Sequence, residues 1–312
     1  MRMEKVLVTP RSFGRTDTSA FDSLKNAGYE VVLNPYGQVL TKEQMKSEIE
    51  DVVGVIVGID PLDEGVLACG KKLRAVAKYG IGTDNIDKAY CASHNIHLSI
   101  TRGANSNAVA DYTFALLMAC ARNLTIINEL CHRKNWSKLI GADVYKKTIG
   151  ILGLGAIGKG VARRATGFDM KILAYDLAWD ENYAAAHNIV FAEPAHLFRE
   201  SDFICLHLPL TEKTKNIINA ESIALMKPTA IVINTARGGL VDEGALIDAL
   251  KNKRILAAGL DVFREEPPEN EALYTLDNLI MGSHCAASTT DASAMMSLMA
   301  AHNLINDLNC KG

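Results

Sequence analysis

Thr148-Ile-Gly-Ile-Leu-Gly-Leu-Gly-Ala-Ile-Gly158 is the stretch on which the reading of this chain turns. Its first five residues are an apolar run of strand type, and the pattern from Lys159 to Thr166 is helical, so the glycines mark a strand-to-helix turn. In that setting Gly153 permits the tight turn, Gly155 lets the backbone approach a pyrophosphate, and Gly158 lets helix and strand pack closely. Ala156 and Ile157 fall at the helix start, where unpaired N–H groups attract an anion. The next strand ends in Ala174-Tyr175-Asp176, about twenty residues on, where an acid meets the adenosine ribose hydroxyls. A carboxylate there repels a 2'-phosphate, so the expected cofactor is NAD rather than NADP. The alternative for Asp176 is a helix N-cap after the strand.

On the C-terminal side the alternation continues. Strands are expected at Thr148 to Leu152, Lys171 to Tyr175, Phe203 to Leu206, Ala230 to Asn234, Ala257 to Val262 and Leu279 to Met281, a set of six. On the N-terminal side a separate series runs Val6 to Val8, Val31 to Leu33, Val53 to Val57, Leu73 to Ala77 and Ile96 to Ser99. Strands separated by helices imply parallel sheets with helices on both faces. Between the two series, Val109 to Ala121 reads as a bridging helix, with Asn105 or Ser106 placed to cap it and Asp111 early enough to favour its dipole. A last helix, Ala292 to Leu308, is expected to pack on one domain or the other.

Bulk composition agrees with two domains: 312 residues, 48% of them hydrophobic, exceed one comfortable core. A net charge of -3 with the signs mixed along the chain leaves no basic face for nucleic acid or membrane. Seven scattered cysteines without a CxxC spacing fit a reducing compartment, not a disulfide framework or a metal site. With no signal-peptide pattern and no bilayer-length apolar run, a soluble cytoplasmic protein is expected.

Ligands bind beyond the carboxyl ends of strands in such sheets. Three ionisable residues stand there. Arg237 precedes Gly238-Gly239, read as a flexible turn that lets the guanidinium face the cleft; its planar fork suits a substrate carboxylate. Glu266 precedes Pro267-Pro268, and His284 follows Leu279 to Met281. Reducing a 2-keto acid requires a carboxylate anchor, a hydride donor and a proton donor. Arg237, a nicotinamide and His284 meet these needs, with Glu266 orienting the imidazole and favouring its protonated form.

Taken with further motifs, the chain resembles the D-isomer-specific 2-hydroxyacid dehydrogenases, within them the short phosphoglycerate-dehydrogenase-like members. The motifs are Tyr79-Gly-Ile-Gly-Thr-Asp-Asn-Ile-Asp87, Asn105 with Val109-Ala110-Asp111, the Gly153 turn, Leu206-His-Leu-Pro-Leu-Thr211 with Thr214, Asn234-Thr-Ala-Arg-Gly238, Gly259-Leu-Asp-Val-Phe263 with Glu266-Pro267, and His284 with Ser288-Thr289. The resemblance implies a flavodoxin-like substrate domain over residues 1–100 and 288–312, and a Rossmann NAD-binding domain over 101–287, both doubly wound parallel α/β sheets. It implies that Arg237, Glu266 and His284 are catalytic, that Ile81, Gly82 and Asn105 help hold the substrate, and that Asp261 lies by the nicotinamide. Along the cofactor it sets His207, Pro209, Thr214, Thr235 and Ala236. Further implications are a homodimer joined through the nucleotide domains and hinge closure that excludes water. Glutamine in place of Glu266 would mark a formate-oxidising relative.

The distal end of the substrate is less determined. Phosphoglycerate-specific relatives commonly carry arginine after the third strand, but Gly58-Ile59-Asp60-Pro61 holds no cation. Arg11 and Ser12, after the first strand, and Arg102 are candidates for a second anionic group. Phosphoglycerate, hydroxypyruvate, glyoxylate and a sulfolactate-like acid all remain open. A nucleotide-sensing corepressor-like protein is the competing class, disfavoured by the lack of a long tail after the last helix.

Overall fold

The computed structural model describes residues 3–310. The chain divides into two compact units, Met1–Asn105 with Ser288–Gly312, and Ser106–Ala287. The first unit runs β1 (Glu4–Val8), α1 (Ser19–Asn26), β2 (Tyr29–Leu33), α2 (Lys42–Ile49), β3 (Gly54–Val57), α3 (Glu64–Leu67), β4 (Ala75–Lys78), α4 (Lys88–Ser93) and β5 (His97–Ile100). Its five strands are all parallel, in the order β2-β1-β3-β4-β5. Strands β3 and β4 are buried along their whole length. Covered on both faces, they read as unbroken apolar runs instead of alternating ones.

The second unit runs α5 (Ser106–Ala121), α6 (Leu124–His132), β6 (Thr148–Leu152), α7 (Ala156–Thr166), β7 (Lys171–Tyr175), α8 (Glu181–Ala186), β8 (Ile189–Phe191), α9 (Pro194–Glu200), β9 (Phe203–Leu206), α10 (Ala220–Leu225), β10 (Ile231–Asn234), α11 (Glu243–Lys251), β11 (Ala257–Leu260) and β12 (Leu279–Met281). Its sheet is parallel throughout, in the order β12-β11-β10-β9-β6-β7-β8. The sheet therefore has seven strands, not six. The addition is β8, a three-residue edge strand with Val190 and Phe191 exposed, too short and too open to carry a periodic signal.

The last helix, α12 (Thr290–Asn309), belongs to the first unit. The Thr289 hydroxyl caps it by accepting from Ala292 N. Ala300, Ala301, Leu304 and Leu308 then enter the core formed by Val6, Val8, Leu24 and Ile56. Gly54 on β3 allows this approach: a Cβ there would stand 3.0 Å from Leu304.

Two expectations for α5 are corrected. Asn105 Oδ1 and Ser106 Oγ are both buried and without a hydrogen-bond partner, so neither side chain caps the helix. Asp111 lies beyond the first turn, where dipole compensation has faded; it pairs instead with Arg164 on α7 at 2.7 Å.

Candidate active site

The turn after β6 has the geometry its glycines require. Gly153 has φ +104°, in the left-handed region, and a Cβ there would meet His207 C at 2.6 Å. At Gly158 a Cβ would lie 2.0 Å from the Gly153 carbonyl oxygen, so helix α7 rests directly on the turn. Gly155 differs: nothing lies within 4 Å of a Cβ built on it. This open backbone beside the first amides of α7 fits a dinucleotide diphosphate. Asp176 immediately follows β7, and its carboxylate accepts from Leu154 N at 2.6 Å and Ala178 N at 2.8 Å. It is not a helix cap; that part is taken by Asp180, which accepts from Tyr183 N.

Around this turn the other candidates take varied places. Both ring nitrogens of His207 are buried without a partner, and burial pushes its pKa down to about 3, so the ring is neutral. Thr214 Oγ1 donates to the Pro209 carbonyl at 2.6 Å and accepts from Thr211 N at 2.8 Å, bracing the loop after β9. Thr235 Oγ1 lies 3.0 Å from Thr113 Oγ1 on α5. Ala236 N donates to Asn234 Oδ1 at 3.0 Å, and Asn234 Nδ2 donates to the Arg237 carbonyl at 2.8 Å. Asn234 thereby staples the turn that presents Arg237.

Arg237 itself is half-buried, and its Nη1 donates to the Ala236 carbonyl at 2.7 Å. The following glycine is not the flexible joint expected from Gly238-Gly239. Gly238 is buried in a short 3-10 turn, Gly238–Leu240, and a Cβ on it would stand 1.9 Å from Phe263 C. Its smallness lets the Arg237 turn pack on the backbone just before Glu266. Glu266 Oε1 accepts from Phe263 N at 3.1 Å, and Oε2 lies 2.7 Å from His284 Nδ1. Burial raises the Glu266 pKa, but the His284 hydrogen bond, the Phe263 amide and the charges of His284 and Arg237 outweigh it; the net shift is downward. The carboxylate is therefore held ionised. With Nδ1 engaged, His284 presents Nε2 as the end that can exchange a proton.

Two features of this corner escape sequence reasoning. His284 has φ 55°, a left-handed conformation uncommon outside glycine. Asp261 is fully buried, and its carboxylate accepts from Cys285 N at 3.0 Å and Ala286 N at 2.8 Å. The partners sit more than twenty residues away, and no local pattern announces such a pairing.

The remaining candidates belong to the first unit. Arg11 is exposed, and Ser12 Oγ donates to the Tyr79 hydroxyl at 3.2 Å. Ile81 is exposed and Gly82 half-buried, on the loop after β4. Gly80, with φ +125°, anchors that loop by donating to Thr101 Oγ1 at 2.8 Å. The loop Gly58-Ile59-Asp60-Pro61 lacks a cation in sequence but has one behind it: the buried Lys78 ammonium donates to the Gly58 carbonyl and to Asn85 Oδ1.

Residues 114–286 match the family model "D-isomer specific 2-hydroxyacid dehydrogenase, NAD binding domain". A glyoxylate reductase of Korarchaeum cryptofilum is 41% identical over 253 residues, 79% of this chain and 76% of that protein. A hydroxypyruvate reductase of Thermotoga maritima is 37% identical over 300 residues, 92% of this chain and 96% of that protein. Among solved structures, a protein of Thermus thermophilus superposes with TM-score 0.89 at 32% identity, covering 97% of this chain and 96% of its own.

Proposed function

The chain belongs to the D-isomer-specific 2-hydroxyacid dehydrogenases, NAD-dependent oxidoreductases of small 2-hydroxy and 2-keto acids, and we propose that Arg237, Glu266 and His284 carry its chemistry. Bound NADH supplies the hydride that reduces C2 of the keto acid, and NAD+ accepts it in the reverse direction. The observation that carries the assignment is the 2.7 Å contact between His284 Nδ1 and Glu266 Oε2. It fixes the ring so that Nε2 delivers a proton to the substrate carbonyl oxygen, or receives one from the hydroxyl. Arg237 grips the substrate carboxylate through its guanidinium fork and polarises the neighbouring carbonyl. Glu266, held ionised, stabilises the charged ring while His284 carries the proton.

The second unit binds NAD through Gly153, Gly155, Ala156, Ile157, Gly158 and Asp176, and Ile81, Gly82 and Asn105 are the substrate-binding candidates within the first unit. Acids as small as glyoxylate or hydroxypyruvate are the substrates this chain fits best. The loop after β3 carries no cation of its own where a phosphate would need one: Asp60 is buried to 3% exposure, and the Lys78 ammonium behind it is engaged by the Gly58 carbonyl and Asn85 Oδ1, which speaks against phosphoglycerate. We further infer a homodimer: α6 buries none of its residues, while Trp136 and Ile140 are 81% and 99% exposed, an apolar surface suited to a second copy. A cytoplasmic location agrees with the seven unpaired cysteines.

His284→Ala is the decisive variant. Turnover should fall by roughly 100- to 10,000-fold while NADH titration stays normal; turnover at the wild-type rate ends the assignment. A panel of 2-keto acids with NADH, followed by absorbance, ranks the substrates. A clear preference for phosphohydroxypyruvate would overturn the small-acid reading.

A further inference from the structure

The loop that carries His284 is tied down by groups that the proposed proton transfer does not use. Gly282 N donates to the Leu260 carbonyl at 2.7 Å, and His284 N to the Asp261 carbonyl at 2.8 Å. The Asp261 carboxylate then takes the amides of Cys285 and Ala286. One further tie comes from a helix. Cys285 Sγ, 3.6 Å from Asp261 Oδ1, donates to the Tyr112 hydroxyl on α5 at 3.3 Å.

Packing at this point leaves no slack. A Cβ on Gly282 would stand 2.3 Å from Asp261 Oδ1 and 2.7 Å from the Tyr112 hydroxyl, so backbone, carboxylate and phenol close on one another. Burial first, then Cys285 and Asp261, push the Tyr112 phenol well above its usual range. It remains a neutral hydroxyl at any working pH. Above this knot sits the left-handed His284, φ 55°. Such a conformation persists only where its surroundings over-determine it.

We propose that Tyr112 is a positioning residue: its hydroxyl, through Cys285, holds the left-handed turn at His284 and keeps the imidazole aimed with Nδ1 on Glu266. The inference rests on His284 being the proton donor. Asp261, just after β11, fixes the amides on the C-terminal side of the turn. Tyr112 adds an anchor on a 16-residue helix that packs against the same sheet. With that anchor gone, residues 283–286 gain access to right-handed backbone, and the ring spends less time in line with Glu266. Proton transfer slows, whereas NAD and substrate binding are untouched.

Tyr112→Phe removes only the hydroxyl. Its kcat should fall on the order of tenfold, with the Kd for NADH within about twofold of wild type. Cys285→Ala should do the same, and the double variant should be no slower than the slower single one, because both break one tie. Cys285→Ser keeps a donor and should recover most of the rate. A wild-type kcat in Tyr112→Phe, even with a lowered Tm, or strictly additive losses in the double variant, would overturn the proposal. His284→Ala separates this idea from the one beneath it. Lost turnover there with a normal Tyr112→Phe removes the role of Tyr112 alone; retained turnover removes the proton donor itself.

Discussion

Each sheet has a point where crossovers leave in opposite directions, between β1 and β3 in the first unit and between β6 and β9 in the second. Topology makes a crevice beyond the strand ends at both. In the first unit the crevice is plugged: Thr9 Oγ1 donates to Asp60 Oδ2, Gly58 N donates to Thr9 Oγ1 at 3.2 Å, and Leu40 N donates to Asp60 Oδ1 at 2.9 Å. In the second it is open, with free space over Gly155. The same fold therefore offers a ligand site twice, and side chains decide that only one is a dinucleotide cradle.

The two crevices differ most at Gly155. Gly155→Val should leave the Tm of the ligand-free protein nearly unchanged, since its Cβ meets nothing, yet weaken NADH by roughly 100-fold or more through lost approach of the diphosphate. Unaltered NADH titration would mean that the open crevice is not the cofactor site. At the plugged point the reverse is expected: Asp60→Ala orphans Thr9 and the Leu40 amide, costing about 1–3 kcal/mol for each buried group, read by urea unfolding, with NADH affinity retained.

A smaller effect concerns pH. The unfolded His207 takes a proton near pH 6.5, whereas the folded one does so only at about 3. The folded state therefore binds fewer protons in that window, and stability falls as pH drops from about 6.5 towards 3, by at most about 1.4 kcal/mol per pH unit. His207→Phe should flatten that part of the urea midpoint profile; an unchanged slope would show that the ring is not buried neutral. The smallest change is expected at Arg11→Ala, a few-fold rise in KM for acids bearing a second anion and none for glyoxylate. An equal rise for every acid would remove Arg11 as a distal reader.

Much of this was legible in advance because parallel strands buried on both faces leave continuous apolar runs. Phe203–Leu206 and Ile231–Asn234 stand out for that reason. Edge strand β8 does not, being short and half in solvent. The glycine turn is equally readable, since each glycine has a local steric cause. What could not be read are ties between distant residues: Tyr112 and Cys285 are 173 positions apart, and Lys78 reaches the Gly58 carbonyl from the neighbouring strand. Nor does a histidine advertise a positive φ as glycine does. Gly238 is deceptive for a related reason, because sequence cannot tell a glycine chosen for freedom from one chosen for lack of volume.

The docking of α12 into the first unit also bears on how the chain acquires its shape during synthesis. Ala300, Ala301, Leu304 and Leu308 complete a core whose other members, such as Val6 and Ile56, emerge from the ribosome roughly 250 to 300 residues earlier. The second unit is contiguous and can close its sheet as it emerges. The first must wait with one face of β3, β4 and β5 uncovered, so the earliest-made half of the protein is the last to finish folding, and it is the half that chaperones should meet.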